Sequence, residues 1–329
     1  MSRIVRMALR PDRASADAGV AIRAAAKLNL SLAVLARRSD GFHDIESLMV
    51  PVDLHDIVRV RPARTAGIHL SVRFGGQLAG PRGAALARDV PMDDSNLVVR
   101  AVRLLAAEAG IDPSLDIELV KAIPSGAGLG GGSSDAAAVL RAAATAWGID
   151  WPAERLATIG AAIGSDVPWF FAGGPAIARG RGERVEPVPA LVPLAAVIAC
   201  PAVGLSTAAV YGRCTPDAGQ RGMALRLAGA LAAGGLASAL PFMHNALEEP
   251  ARRLCPDVDR LLAALACAGA VAPRLTGSGS ACFALTRTVA EARGLAARVA
   301  AKGAAAGGRW PAVFVVRLVQ PGRPAAVAV

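Results

Sequence analysis

Residues 124–135 carry the densest set of chemically capable groups in the chain, in the order P-S-G-A-G-L-G-G-G-S-S-D. Five glycines fall within residues 126–132, two hydroxyls and a carboxylate follow, and an alanine-rich run begins directly afterwards. Glycine lets backbone N–H groups approach a ligand closely because it has no Cβ. A helix that starts after such a loop presents free N–H donors and the positive end of its dipole. The segment therefore predicts a phosphate cradle rather than a flexible linker.

Three kinds of phosphate-binding loop could account for this segment. A P-loop needs a lysine directly after its glycines, and none is present. Gly126, Gly128 and Gly131 match the G-x-G-x-x-G spacing of a dinucleotide-binding loop, but the chain around them lacks a regular βαβ run. The carboxylate expected about twenty residues further on would be Asp150, which lies beyond the following helix. We therefore favour a phosphotransferase whose loop wraps nucleotide phosphates and whose cation comes from elsewhere, and keep the dinucleotide-binding oxidoreductase as an alternative.

Lysine is rare in this chain, with three lysines against thirty-three arginines. Lys27 and Lys121 both lie beside motif positions, and a site that needs a compact ammonium cannot accept a guanidinium fork. Lys27 sits in a mostly apolar strand, where an unpaired ammonium would be costly. Asp166 lies in the turn G-S-D-V-P, where an aspartate often only caps the chain. We hypothesise that Lys27 meets Asp166, keeps it ionised and directs it at a substrate hydroxyl.

The remaining pattern mixes strands and helices without a regular alternation, which favours an α+β fold. Residues 22–35, 55–61, 68–74 and 115–123 have strand patterns, the first with a bend at its polar positions. Helices are predicted at residues 96–109, capped by Ser95, and at 135–147, capped by Ser133 or Ser134. Further elements of the second half are predicted helices at 223–233, 258–268 and 289–301 and strands at 281–285 and 312–319.

The length of 329 residues suits two domains with a cleft between them. We expect a disordered extension at residues 1–20, an N-terminal ATP-binding domain at 21–178 and a C-terminal substrate-binding domain at 179–329. The long apolar stretch at residues 191–210 is interrupted by prolines and a glycine, so a buried strand and a turn are expected there. We therefore expect no membrane partner.

Charge pattern and cysteine content argue against a nucleic-acid-binding protein and against a zinc site. The net charge of +10 suits a polyanionic ligand, but the arginines are spread without a basic block and few aromatics accompany them. We therefore expect no nucleic-acid partner. The five cysteines are scattered, odd in number and without a C-x-x-C pair. This pattern is typical of reduced thiols in a cytoplasmic protein and argues against a zinc site.

Six motifs in order carry a resemblance to a known family. They are A-K-L-N-L-S-L at residues 26–32, D-G-F-H at 40–43, the glycine loop, G-S-D-V-P at 164–168, N-A-L-E at 245–248 and R-L-T-G-S-G-S-A-C-F at 274–283. Together they resemble the GHMP kinase superfamily over about residues 21–319. The resemblance implies an α+β, two-domain GHMP kinase fold with a nucleotide and substrate cleft between the domains. It also implies ATP and Mg²⁺ as cofactors.

The resemblance also implies roles for individual residues. Asp166 would be the catalytic base and Lys27 its partner. The metal ligands are not defined, although the hydroxyl of Ser133 or Ser134 could reach a magnesium ion carried with ATP. The residues implied in ATP binding are Asn96, Leu97, Lys121, Pro124, Gly126, Gly128, Gly130, Gly131, Gly132, Ser133 and Ser134. Those implied in substrate binding are Asn29, Phe42, His43, Thr207, Tyr211, Gly277 and Ser278.

The motifs A-K-L-N and D-G-F-H, so close together, resemble the branch of the superfamily that phosphorylates the 2-hydroxyl of 4-diphosphocytidyl-2-C-methyl-D-erythritol in non-mevalonate isoprenoid synthesis. His43 would then hydrogen-bond the cytosine, and Phe42 and Tyr211 would sandwich it. Phe42 departs from the usual tyrosine and Tyr211 from a common phenylalanine, yet stacking needs only an aromatic face. Another alcohol of the homoserine or mevalonate type, or a nucleotide-binding regulator without turnover, stays open. A small-molecule partner is expected, and the sequence does not define an oligomeric state.

Overall fold

A computed structural model describes residues 19–80, 83–87, 90–305, 312–320 and 326–328 of the chain. Within these residues the backbone forms strands β1 to β12 and helices α1 to α8. The strands are Val20–Asn29, Ala33–Arg37, His43–Pro62, Gly67–Phe74, Ser114–Lys121, Ala176–Gly180, Arg184–Pro187, Ala195–Cys200, Arg274–Leu275, Cys282–Thr286, Ala312–Arg317 and Ala326–Ala328. The helices are Leu97–Ala109, Gly131–Ala146, Ala153–Ala161, Thr207–Tyr211, Met223–Ala239, Glu248–Leu254, Pro256–Cys267 and Val289–Ala305.

The larger sheet is organised around the 20-residue strand β3. Its main path runs β12-β1-β3-β5-β4, and β2, β6 and β7 complete eight strands among the described residues. Only the pair β4 and β5 is parallel in this part of the chain. Apolar side chains of α1, α2 and α3 share one buried cluster with β1, β3 and β5. The three helices therefore cover one face of this sheet and fix the start of α2, the helix after the glycine loop.

The smaller sheet has the order β11-β8-β10-β9 and is antiparallel. Its strand β8 is buried along its whole length. Successive side chains of a strand point to opposite faces, so alternate residues of β8 enter different clusters. Ala196 and Ile198 join the core between the two sheets, whereas Ala195 and Val197 pack against α7 and α8. Burial on both faces explains why β8 is a continuous apolar run.

One apolar cluster connects the two sheets. It contains Leu28 and Val50 from the larger sheet with Ile198, Phe283 and Phe314 from the smaller one. Helix α5 contributes further apolar side chains to the same cluster. The two halves thus share a core, and the cleft described below opens beside it.

The α+β prediction is confirmed, and several predicted boundaries differ from the structure. The expected limit between residues 178 and 179 falls inside β6, whose backbone pairs with β3 and β7 of the larger sheet. Residues up to Pro187 therefore stay with that sheet, and β12 returns to it from the end of the chain. The expected extension at residues 1–20 lies outside the described residues except for its last two, and Val20 already begins β1.

Both predicted helix caps are wrong. Asn96, not Ser95, caps α1, because its Oδ1 accepts a hydrogen bond from the N–H of Val98 at 2.9 Å. Ser95 instead donates its hydroxyl to Asp93 at 2.6 Å. Helix α2 begins one turn earlier than predicted, at Gly131, and its N-cap is Gly130 with no side-chain cap. The uncapped N–H groups of α2 consequently remain available to a ligand.

The apolar segments behave as buried or amphipathic elements. Residues 191–210 contain β8 and the start of α4, as the interruptions by proline and glycine predict. Among the described residues, one helical stretch, 218–242, is long and apolar enough to cross a membrane by length and composition. This stretch includes α5, whose Leu227 and Leu231 pack into the shared core, and core helices also meet those two criteria. The feature is therefore weak evidence for a membrane.

The shared core predicts cooperative unfolding of both sheets. Replacing the fully buried Phe283 in β10 by alanine should lower the free energy of unfolding by about 3–5 kcal/mol, since a large cavity is left. In a Trp310→Phe background the remaining tryptophans all pack on the larger sheet: Trp147, Trp151 and Trp169. If the two sheets unfold together, their fluorescence should report the full loss of stability caused by the change in the smaller sheet.

A matched control is Phe74→Ala, since this side chain is 37% exposed on β4 and should lower stability much less. Urea unfolding followed by fluorescence and by circular dichroism should give coincident midpoints in every variant. A Phe283→Ala protein whose circular dichroism shifts while its fluorescence midpoint stays unchanged would mean that the sheets unfold independently.

Candidate active site

A cleft of about 1140 Å³ lies where the two sheets meet. Its walls come from β1, the glycine loop, the start of α2, the turn around Asp166, helix α4 and a second glycine loop at residues 276–280. Every residue predicted for the site lines this cleft except Ser134. Segments that are up to about 250 residues apart in the chain therefore contribute to one cavity.

The glycine loop needs its glycines for backbone conformation. Gly126, Gly128 and Gly130 have φ values of 63°, 76° and 73°, in the left-handed region that other residues avoid. This conformation turns the chain so that α2 starts at Gly131 with its N-terminus at the cleft. Free N–H groups and the helix dipole together favour an anion at this point.

The two glycine loops pack against each other without room for a side chain. A Cβ at Gly128 would lie 2.2 Å from the carbonyl oxygen of Thr276, and one at Gly277 would lie 2.8 Å from the carbonyl oxygen of Gly128. The N–H of Ala281 donates to the carbonyl of Ala127 at 3.1 Å. Each loop therefore holds the other, and the shape of the cleft at this point depends on both.

Lys27 lies beneath this pair of loops on β1, which has an irregularity in its pairing with β3 between Ala25 and Lys27. Its Nζ donates to the carbonyl of Gly128 at 2.8 Å and lies 3.9 Å from Oδ2 of Asp166. Burial lowers the pKa of Lys27, and the charge of Asp166 opposes that shift. The predicted ion pair is present, with the ammonium bound to the glycine loop and facing the carboxylate.

Asn29 orients this ammonium. Its Oδ1 accepts a hydrogen bond from Lys27 Nζ at 2.5 Å, and its Nδ2 donates to Ser47 Oγ at 2.8 Å. Its backbone N–H donates to Thr276 Oγ1 at 3.0 Å. With 3% of its surface exposed, Asn29 has little of its amide left for a substrate. Its contacts are those of a positioning residue for Lys27, although it does line the cleft.

Asp166 keeps its carboxylate available. About 35% of its side-chain surface is exposed, whereas the Lys27 side chain is almost fully buried. The turn between β6 and β7 closes over it, since a Cβ at Gly182 would lie 3.2 Å from Asp166 Oδ1. An exposed carboxylate next to a buried cation can accept a hydrogen bond from a hydroxyl in the cleft.

Lys121 belongs to a second, more deeply buried charge cluster. Its Nζ donates to Asp135 Oδ2 at 2.6 Å and to Asp56 Oδ2. Burial opposes the charge of Lys121, but the carboxylates of Asp135 and Asp56 outweigh it and raise its pKa. Burial also raises the pKa of Asp135 to about 8, partly offset by Lys121, and Asp135 Oδ1 has no hydrogen-bond partner.

This cluster anchors the helix start. A Cβ at Gly131 would lie 3.3 Å from Lys121 Nζ, so the ammonium sits directly beneath the first residue of α2. Asp56 Oδ1 also accepts the N–H groups of Ala122 and Ile123 at 2.5 and 2.8 Å. Lys121 therefore anchors the first turn of α2, and its charge is offset by the two carboxylates that engage its donors.

The remaining residues predicted for nucleotide binding divide into two groups. Asn96 and Leu97 line the cleft at the start of α1, where the Asn96 side chain caps the helix and donates to the carbonyl of Pro91 at 2.6 Å. Ser133 faces the cleft, but Ser134 is 3% exposed and lines a separate cavity behind α2. Consecutive helical residues point about 100° apart, so only Ser133 is oriented towards a nucleotide here.

At the opposite end of the cleft the predicted aromatic residues come together. The rings of His43 and Tyr211 lie 5.3 Å apart at an angle of 35°, and Phe42 is 49% exposed at the rim. Burial, followed by the charge of Arg37, lowers the pKa of His43. Burial and the nearby Asp166 raise the pKa of Tyr211, so both side chains are neutral at pH 7. Neutral aromatic groups at a cleft rim suit a flat, uncharged ring.

Between these ends lie the predicted hydroxyl groups. Thr207 begins α4, and its Oγ1 is 2.9 Å from Ser278 Oγ of the second glycine loop. Gly277 precedes this serine with a φ of 56°, which brings the loop against Lys27. A ligand that spans the cleft would pass these hydroxyls.

Sequence reasoning missed three contributors to the cleft region. Asp56 and Asp135 complete the cluster around Lys121, and Arg181 lies over the ring of Phe42 at 4.8 Å from its centroid. Asp56 alternates with apolar residues as any strand aspartate would, so nothing in the sequence singled it out. Arg181 stands between two glycines in G-R-G, a turn pattern that could have drawn attention to it.

Two family models match the chain. The model of the GHMP kinases N terminal domain matches residues 96–174, and that of the GHMP kinases C terminal matches residues 227–305. The first match contains the glycine loop and Asp166, which are the groups gathered at the cleft.

Similar proteins extend the match to most of the chain. A Rhizobium leguminosarum bv. trifolii protein named 4-diphosphocytidyl-2-C-methyl-D-erythritol kinase is 39% identical over 87% of this chain and 93% of its own. A Pelotomaculum thermopropionicum protein of the same name is 40% identical over 84% of this chain and 92% of its own.

Solved structures agree in fold. A crystal structure of 4-(cytidine 5'-diphospho)-2C-methyl-D-erythritol kinase is 34% identical, with a TM-score of 0.70 over 91% of this chain and 98% of that one. A homoserine kinase from Cytophaga hutchinsonii has a TM-score of 0.72 over 97% of this chain and 99% of that one at 21% identity, which speaks for the fold alone. The two family models and the relatives that are 39% and 40% identical over 87% and 84% of the chain show that it belongs to the GHMP kinase family.

Proposed function

We propose that this protein transfers the γ-phosphoryl group of ATP to the 2-hydroxyl of 4-diphosphocytidyl-2-C-methyl-D-erythritol. The observation that carries this proposal is the position of Lys27 and Asp166 beside a helix N-terminus with no side-chain cap. A polyanion donor and an alcohol acceptor would need an amide cradle, a cation and an exposed carboxylate, and the cleft contains all three. The names of the relatives support the choice of acceptor.

The cleft suits a nucleotide at one end and a base-bearing alcohol at the other. The amides at the start of α2 would bind the phosphate chain, and Leu97 would lie against the adenosine. The rings of Phe42, His43 and Tyr211, which line the same cleft, would receive the cytosine. Such an arrangement leaves the methylerythritol hydroxyl between Asp166 and the phosphate cradle.

Lys27 and Asp166 would divide the chemical work. Asp166 would accept the hydrogen bond of the acceptor hydroxyl and orient its oxygen at phosphorus. Lys27 would keep Asp166 ionised and supply positive charge where phosphoryl oxygens gain negative charge. In that arrangement the hydroxyl proton moves to Asp166 as the new oxygen–phosphorus bond forms.

The same residues fit an ATP–magnesium pair. The start of α2 has no side-chain cap, so its first backbone N–H groups form an amide surface at the cleft that is open to an anion. Ser133 is the hydroxyl that reaches this surface and could contact the ion. Among the described residues no group of three histidine, cysteine, aspartate or glutamate side chains is placed to hold a metal, so phosphate oxygens would supply most of its ligands. When bound, Mg²⁺ would neutralise phosphate charge.

The direct test is ADP release with purified protein and a panel of acceptors. Diphosphocytidyl methylerythritol should give turnover at least about a hundred times faster in kcat/KM than homoserine or mevalonate, because only it has a base for the aromatic rim. Preference for homoserine or mevalonate would transfer the protein to another branch of the family. ATP binding without ADP release for any acceptor would instead indicate a regulator.

Asp166→Asn should lower kcat roughly 10²- to 10⁴-fold, since an amide cannot accept the hydroxyl proton. ATP should bind with unchanged affinity by calorimetry, because the phosphate cradle is untouched. Asp150→Asn is the matched control, as Asp150 is exposed and outside the cleft. Turnover of Asp166→Asn within about threefold of the parent would remove Asp166 from the base and orienting roles.

Lys27→Arg should lower kcat by more than about tenfold although the charge is kept. A Cβ at Gly130 would already come within 3.0 Å of Lys27 Cγ, and one at Gly277 within 3.1 Å of its Nζ, so a guanidinium does not fit. Lys302→Arg makes the same change at an exposed position on α8 and should leave kcat unchanged. Equal kinetics for the two variants would mean that the ammonium has only a structural role.

Gly128→Ala should raise the KM for ATP by more than about tenfold, because the new methyl group would collide with the carbonyl of Thr276 and separate the two loops. Gly148→Ala is a matched control: its φ of 66° imposes a similar backbone cost, but open space surrounds its Cβ position. Both variants should lose roughly 1–2 kcal/mol of stability from the backbone alone. A normal KM for ATP in Gly128→Ala would show that contact between the loops does not shape the cradle.

A further inference from the structure

The cations of the cleft are unequal in their freedom to bind a ligand. Lys27 and Lys121 are buried and engaged by protein acceptors. Arg37 and Arg181 also line the cleft, and among the described residues neither forms an ion pair with a carboxylate. Arg181 is near enough to Asp40 for its charge to lower the pKa of that exposed carboxyl, yet within the described residues no hydrogen bond holds its guanidinium. Both arginines therefore keep donors for an anionic group that lies outside the phosphate cradle.

Arg181 is the better placed of the two. It lies in the turn between β6 and β7. Its backbone N–H donates to Glu183 Oε2 at 2.6 Å, which stabilises the conformation of the turn. Its guanidinium carbon is 4.8 Å from the centroid of the Phe42 ring. An arginine stacked on an aromatic ring keeps its in-plane N–H donors free, and these match phosphate oxygens.

The same short turn spans the distance between the reactive end and the aromatic rim. A Cβ on Gly182, the next residue, would lie 3.2 Å from Asp166 Oδ1, while the side chain of Arg181 reaches Phe42. An acceptor with its hydroxyl at Asp166 and its base at Phe42 must therefore pass its linking group beside Arg181. In the proposed acceptor that linking group is a diphosphate.

We propose that Arg181 binds the diphosphate of the acceptor and makes the enzyme select acceptors in which a diphosphate joins the base to the alcohol. This inference rests on the proposed function. Arg181 would act in binding rather than in the chemical step, since its guanidinium stacks on Phe42 at the rim. Arg37, opposite His43 in the strand pairing, is exposed and would contribute weaker, more screened attraction.

The test compares Arg181→Met and Arg181→Lys with the parent, using cytidine and cytidine diphosphate as calorimetric probes. Arg181→Met keeps an unbranched side chain against Phe42 but has no charge. It should weaken cytidine diphosphate binding about 10- to 100-fold, the range of a lost charged hydrogen bond, and change cytidine binding less than about threefold. Arg181→Lys should lie between the two proteins, because it keeps the charge without the planar fork.

Steady-state kinetics should likewise show a defect in acceptor binding and none in the chemical step or in ATP binding. Arg181→Met should raise the KM for diphosphocytidyl methylerythritol about 10- to 100-fold, with kcat and the KM for ATP within about threefold of the parent. Arg184→Met is the matched control, since Arg184 belongs to the same hairpin but is exposed and lies outside the cleft. It should behave like the parent in both assays.

Three results would overturn the inference: unchanged cytidine diphosphate affinity in Arg181→Met, equal losses for cytidine and cytidine diphosphate, or an equal loss in Arg184→Met. The second would mean that Arg181 only supports the Phe42 ring, and the third that general electrostatics is responsible. Failure of the proposed function looks different, because the parent protein would then release no ADP with the diphosphocytidyl alcohol. Loss of cytidine diphosphate binding in Arg181→Met would support the diphosphate contact even in that case.

Discussion

Contact between two glycine loops, at residues 126–132 and 276–280, is the constraint on which the rest of the cleft depends. At Gly128 and Gly277 the backbones approach so closely that any Cβ would collide. Lys27 is held at this contact by its hydrogen bond to the carbonyl of Gly128, and the first loop ends in Gly130, which gives α2 no side-chain cap. Binding capacity at this site therefore comes mainly from backbone amides, whose positions are set by packing rather than by side-chain choice.

Two buried lysines serve the site in different ways. Lys121 is neutralised by Asp56 and Asp135 and acts as an anchor beneath the helix start. Among the residues that the structure describes, Lys27 has one carboxylate within 4 Å, and that carboxylate is partly exposed to the cleft. Burial lowers the pKa of Lys27, whereas the two carboxylates raise that of Lys121 against the same penalty. The lysine with the less complete pairing is therefore the one whose carboxylate partner opens into the cleft.

The long strand β3 and the shared core explain how these groups keep their positions. β3 pairs with β1, which carries Lys27, and with β6, which leads into the turn over Asp166. The smaller sheet, which supports the second glycine loop, packs against the same core through Phe283. A ligand that touches both ends of the cleft thus contacts two sheets that are already joined, so binding does not have to bring them together.

The sequence by itself predicted a glycine loop leading into a helix, the pairing of Lys27 with Asp166 and the α+β class, because glycine spacing, lysine rarity and mixed periodicity are local properties. It also indicated the family through motifs that are short and ordered. It did not determine the helix caps or the extent of the larger sheet. It also did not determine that Ser133 faces the cleft while Ser134 faces a separate cavity, since this depends on the residue at which α2 begins. Only the tertiary structure could join Asp56 to Lys121 and place Arg181 over Phe42, because these contacts link residues 65 and 139 positions apart and no local pattern encodes them.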